Sequence, residues 1–95
     1  MAYDVVFLDR AKQDISDMID TLIDDYPDAA VRKYEKIIDA AKRLQDNPYL
    51  YEEYRFRKSY RRIVIEDYLV FYQVDDEKRV VKIYRILYYR RNVKL

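Results

Sequence analysis

Hydrophobic and polar positions change their period twice along this chain. Tyr3 to Leu8 (YDVVFL) is a short apolar run rich in β-branched and aromatic residues, which predicts a strand. The spacing then opens out. Ala11, Ile15, Met18, Ile19, Leu22 and Tyr26 recur at three- and four-residue steps, the stripe of an amphipathic helix. Asp9 stands where the N-cap of that helix belongs. Asp14, Asp17, Asp20, Asp24 and Asp25 keep helical spacing outside the stripe and predict a solvated acidic face. Tyr26-Pro27 ends the helix, because the residue before a proline avoids the α region. Pro27 suits the first turn of a second helix, and Asp28 complements its positive end. Ala30, Tyr34, Ile37, Ile38, Ala41 and Leu44 form the second stripe, closed by Asp46-Asn47-Pro48. So short a link makes the two helices an antiparallel hairpin.

Tyr49 to Ser59 (YLYEEYRFRKS) keeps no period and reads as a loop lying over a sheet through its aromatic rings. Alternation then predicts strands at about Tyr60–Ile65, Tyr68–Val74 and Arg79–Leu87. Glu66-Asp67 is a two-residue hairpin connection and Asp75 to Lys78 a longer one, so these strands are antiparallel neighbours. Strict alternation puts Val81, Ile83, Arg85 and Leu87 on one face of the last strand. Val80, Lys82, Tyr84, Ile86 and Tyr88 then share the other. Neither face is purely polar. One packs on the helical hairpin, and the other calls for a partner or a covering segment. The expectation is one α+β domain over residues 1–95, β-α-α-β-β-β, with a helical hairpin packed on an antiparallel sheet.

Composition narrows the chemistry. The chain has 95 residues, with no Cys, no His and no Gly. Disulfides, thiolate metal sites, the usual general base and glycine loops around phosphates are therefore excluded, and tight turns must use Asp, Asn or Glu. No metal ion and no cofactor are expected. No apolar run approaches the ~20 residues that span a bilayer. The N-terminus MAYDVVFLDR lacks a signal-peptide pattern, so no membrane association and a cytoplasmic location are expected. The net charge of +1 hides an asymmetry. Residues 1–48 carry seven Lys/Arg against eleven Asp/Glu, a net of −4; residues 49–95 carry twelve against seven, a net of +5. A basic half of this kind points to a polyanionic or acidic partner.

The candidate chemistry lies near the C-terminus, where Arg85, Tyr88, Tyr89, Arg90 and Arg91 crowd together. RNA cleavage by 2′-hydroxyl attack needs a base, an acid and cations to hold phosphorane charge. Arg85, Arg90 and Arg91 carry forks that match phosphate oxygens, and Tyr88 or Tyr89 can stack on a base or donate a proton. The plainer reading has the tyrosines alternating between core and surface, with solvated arginines. Lys58, Arg61 and Arg62 form a second basic run, in which Arg61 and Arg62 point to opposite faces of a strand. They read either as contacts to phosphate or carboxylate, or as edge-strand charges that block aggregation.

The order strand, two helices, three antiparallel strands resembles the RelE/ParE superfamily of bacterial toxins. YRRIVIEDYLVFYQVDD (from Tyr60) looks like the superfamily's central hairpin, and RILYYRRN (from Arg85) like its closing arginine-rich motif. The resemblance implies the toxin half of a type II toxin–antitoxin pair, silenced by a small antitoxin that wraps it. A homodimer or a toxin–antitoxin hetero-oligomer is implied with it. Two mechanisms occur in the superfamily: RelE-type members cut messenger RNA in the ribosome, and ParE-type members poison DNA gyrase. Nuclease members place an arginine after the tyrosine opening the middle strand, where this chain has Leu69. Where many members have His-Gly before the closing arginines, this chain has Tyr88-Tyr89, and Glu66 stands at the usual glycine of the central hairpin. The resemblance thus favours a ParE-like growth inhibitor whose target surface includes Lys58, Arg61, Arg62, Tyr89 and Arg91. The alternatives are a ribosome-dependent endoribonuclease with Arg85, Tyr88 and Arg90 as catalytic residues, and a binding module without toxicity.

Overall fold

The computed structural model describes residues 2–89, so Arg90 and Arg91 lie outside the described residues. Strand β1 (Asp4–Phe7) leads into helices α1 (Asp9–Leu22) and α2 (Pro27–Asp46), followed by β2 (Arg61–Ile65), β3 (Tyr68–Asp75) and β4 (Val80–Tyr88). The four strands form one sheet in the order β1-β4-β3-β2. β2, β3 and β4 are consecutive antiparallel neighbours, as their short connections require. β1 adds on parallel to β4, because the α1–α2 hairpin is a crossover long enough to return the chain to the same end.

The helices cover one face. Ala11 and Met18 of α1 are buried, and Ile37, Ala40 and Leu44 of α2 meet Ile63, Ile65, Val70, Tyr72, Val81, Ile83 and Ile86 in the main core. Two helix expectations need correction. Asp9 is not a cap: it opens α1 after Leu8, and no side chain caps that end. Tyr34 is 41% exposed on the flank of α2, and Ala40 and Lys33 take inward positions. Lys33 tolerates burial because Nζ lies 2.9 Å from Asp67 Oδ1 and 5.4 Å from the Tyr68 ring centroid.

Without glycine, two turn residues adopt left-handed backbone: Glu66 at φ 53° and Arg79 at φ 54°. Such a conformation costs a residue with a Cβ roughly 1–2 kcal/mol. At Glu66 the carboxylate is anchored from α2, by Arg32 Nε at 3.0 Å and Lys36 Nζ at 3.2 Å. Arg32 comes first among the causes that pull the Glu66 carboxyl down to about 2. Arg79 was not among the residue types expected in turns; its guanidinium lies 4.5 Å from the Tyr3 ring centroid. On the same side, the Tyr3 and Tyr49 hydroxyls both donate to Asp76, tying β1 and the segment after α2 to the β3–β4 turn. Those bonds, Tyr49's first, lower the Asp76 pKa, and the same partnership raises Tyr49 to about 12.

Candidate functional site

The face of the sheet away from the helices carries its own cluster of Tyr54, Tyr60 and Phe71, flanked by Leu69, Tyr84 and Leu87. The segment between α2 and β2 supplies the cover that the alternation called for. Tyr54 N–H donates to Tyr60 O at 2.7 Å and Arg62 N–H to Glu52 O at 3.2 Å, so this segment runs back along the start of β2. Tyr54 meets Phe71 edge-on at 4.9 Å, and Tyr60 meets Tyr84 at 5.0 Å. Burial raises the Tyr60 hydroxyl pKa, which makes it a poor proton donor at neutral pH.

The tip of the segment, Arg55 to Ser59, is exposed. Arg55 stacks on Phe56 at 4.6 Å and Arg57 on Tyr60 at 4.7 Å. Phe56 is 67% exposed. A guanidinium lying on a ring is oriented while its N–H edge stays free for an acceptor. Among the described residues, neither Arg55, Arg57 nor Lys58 forms an ion pair. Val64 and Tyr89 add exposed apolar area. The result is an aromatic and cationic platform, rimmed by Arg62, whose guanidinium reaches Glu52 at 3.2 Å.

Of the residues singled out in sequence, Lys58, Arg62 and Tyr89 belong to this region. Arg61 does not. It opposes Tyr72, whereas Arg62 opposes Phe71, so the two point to opposite faces as alternation required. Arg61 is spent on Tyr51 O at 2.7 Å and on the Tyr49 ring at 4.8 Å. Tyr88 is half-buried beside Tyr68, at 5.5 Å, in a cleft of about 420 Å³ between β4 and α1. Arg55, Phe56 and Arg57 were missed. Their signal is the Arg-Phe-Arg-Lys run, which interleaves cations with a ring inside a segment whose lack of period predicts only a covering loop.

Arg85 departs furthest from expectation. Its Nε and Nη2 grip the Asp14 carboxylate at 2.8 and 3.0 Å, with only 20% of the arginine side chain and 11% of the aspartate side chain exposed. The hydrogen bond to Asp14 is the first cause that raises the Arg85 pKa. Asp14 therefore leaves the solvated acidic face to which helical spacing had assigned it. The alternation of β4 also breaks. Phe71 opposes Arg85 and Tyr72 opposes Ile83, so Tyr84 is an extra residue. Beyond it, Ile86 enters the main core and Leu87 turns to the outer cluster, the reverse of the face assignment expected from sequence.

A four-stranded sheet backed by a helical hairpin is an arrangement shared with known bacterial toxins. The chromosomal ParDE toxin–antitoxin system of P. aeruginosa aligns with a TM-score of 0.74 at 17% identity, covering 90% of this chain and 94% of that one. The RelBE2 toxin–antitoxin complex of Mycobacterium tuberculosis aligns at 0.67 and 21% identity, over 93% and 99%. The isolated E. coli RelE toxin aligns at 0.60 and 20% identity, over 90% and 82%. Among curated proteins no sequence relative matches. The model of the ParE toxin of the type II toxin–antitoxin system, parDE, matches residues 5–93, and the chain belongs to that family. It is a toxin of the type II toxin–antitoxin class.

Proposed function

We propose that this toxin arrests growth by binding DNA gyrase through its outer platform, without cleaving RNA. The observation that carries the reading is the fate of Arg85. A phosphoryl-cleaving site at the end of β4 needs a cation free to meet phosphorane charge. Arg85 instead spends its fork on Asp14 toward α1. Arg55 and Arg57, which form no ion pair among the described residues, stand on the 55–58 tip stacked on rings, in a form suited to docking on a macromolecular surface. Leu69, where nuclease relatives carry arginine, packs into the outer aromatic cluster and adds no charge there. The absence of histidine from the sequence supports the same reading.

The test is a supercoiling assay with purified gyrase and the full chain. Inhibition that the antitoxin reverses is expected. Undisturbed supercoiling, together with transcript cleavage on ribosomes, would overturn the reading in favour of the endoribonuclease. A chain that neither inhibits gyrase nor slows growth would be a binding module that has lost toxicity.

A further inference from the structure

β1 stops at Phe7, opposite Ile83, while β4 runs on to Tyr88. The last backbone bond across that seam is Leu8 N–H to Ile83 O at 2.9 Å. Beyond it, among the described residues, no strand lies on the β1 side of β4. A strand edge ended in this way leaves backbone groups without partners, and Ile86 is only 3% exposed. Asp14 fills the gap. Its Oδ2 accepts the Ile86 N–H at 2.8 Å and the Arg85 Nε at 2.8 Å, and its Oδ1 accepts Arg85 Nη2 at 3.0 Å. One carboxylate replaces the carbonyl of a missing strand and holds the neighbouring side chain as well.

The clasp sits beside the bulge. On the other side of β4 the register slips between Phe71 and Tyr72, and a one-residue slip exchanges the faces of everything that follows. With the slip, Leu87 faces outward and Tyr89 follows it, while Tyr88 lines the cleft beside α1. Without it, Tyr88 would stand outward and Tyr89 would turn toward the helices.

We propose that Asp14 is a positioning residue. By gripping Arg85 and the Ile86 amide it fixes the bulge at Tyr84, and so decides which of two adjacent tyrosines is presented on the outer platform. Arg85 acts through Asp14 and does not touch the target. The functional half of this proposal rests on the platform reading above; the structural half does not.

The test uses the full chain carrying Asp14→Asn, which keeps shape and removes charge, Arg85→Gln, and the double variant. In Asp14→Asn the Ile86 amide should exchange about tenfold faster, as expected for loss of a charge-assisted bond. The ring contact between Tyr60 and Tyr84 should weaken in nuclear Overhauser spectra, while the Tyr54–Phe71 contact persists and shows the fold intact. The two single variants should lose growth arrest to a similar extent, and the double variant should lose no more than the worse single. Unchanged Ile86 exchange with an unchanged Tyr60–Tyr84 contact would overturn the clasp. Faster exchange with arrest at the wild-type level would overturn the positioning role, as would arrest lost in Arg85→Gln and kept in Asp14→Asn. If the unaltered chain fails to arrest growth, the platform reading falls, and exchange and ring contacts still judge the clasp.

Discussion

The two faces of the sheet are built on different terms. The inner face is mainly aliphatic, with Tyr72 among its buried residues, and is sealed by the chain's own helices: Ile37 is 1% exposed, Leu44 0% and Val81 0%. The outer face is aromatic and only partly roofed. Phe71 beneath Tyr54 is fully buried, yet Phe56 beside it is 67% exposed and Val64 60%. Burial of aliphatic area drives folding wherever it occurs, but a ring left in water with a guanidinium on it contributes little to the folded state. The inner face is therefore the stability face. The tip of the outer face is free to serve a partner.

Four experiments break or sharpen that contrast. Leu44→Ala should cost most, about 2–5 kcal/mol in chemical denaturation, because it opens a cavity that the helices cannot close. A loss below 1 kcal/mol would mean that the inner face is looser than its burial implies. Tyr72→Phe should cost about 1 kcal/mol, since the buried hydroxyl donates to Pro48 O at 3.0 Å and its removal leaves that carbonyl short of a partner.

A smaller effect appears in acid. The Glu66 carboxyl sits at about 2 when folded, against an ordinary value of 4.5. A folded pKa that is depressed contributes stability in full above the ordinary value, and that contribution fades as pH falls through 4.5 toward about 2. Denaturation midpoints of the wild type should therefore drop through that window more steeply than those of Glu66→Gln. Parallel curves would assign the acid sensitivity to other carboxylates.

Phe56→Ala and Arg57→Ala should change stability least, within about 0.5 kcal/mol, and still weaken growth arrest strongly in plated cultures. If arrest survived both substitutions, the platform would not be the target surface, and the contrast between the faces would be one of packing alone.

Most of the architecture was legible because the chain changes period where its elements change. The helical stripes, the proline between them, and the three alternating runs placed every element to within a few residues. Local pattern has no access to events at a distance. Asp14 fits a solvated helix face perfectly well by spacing; only the early end of β1, a neighbour remote in sequence, gives it an N–H and a guanidinium to hold. The bulge at Tyr84 follows the same logic, because period-two reasoning continues through any residue that a bulge inserts. The parallel pairing of β1 was likewise beyond reach of the sequence pattern. For the site, the basic run at Lys58, Arg61 and Arg62 was visible, but its division between platform and internal contacts depended on which cross-strand neighbour each residue met.

The turn at Glu66 carries a consequence for how the molecule assembles. A glycine there would let the β2–β3 hairpin close by itself. Here the left-handed residue is tethered by Arg32 and Lys36, cations borne on α2. The hairpin therefore borrows its bend from a helix far away in the chain. Strand pairing at this turn and the docking of α2 are thereby coupled, each favouring the other.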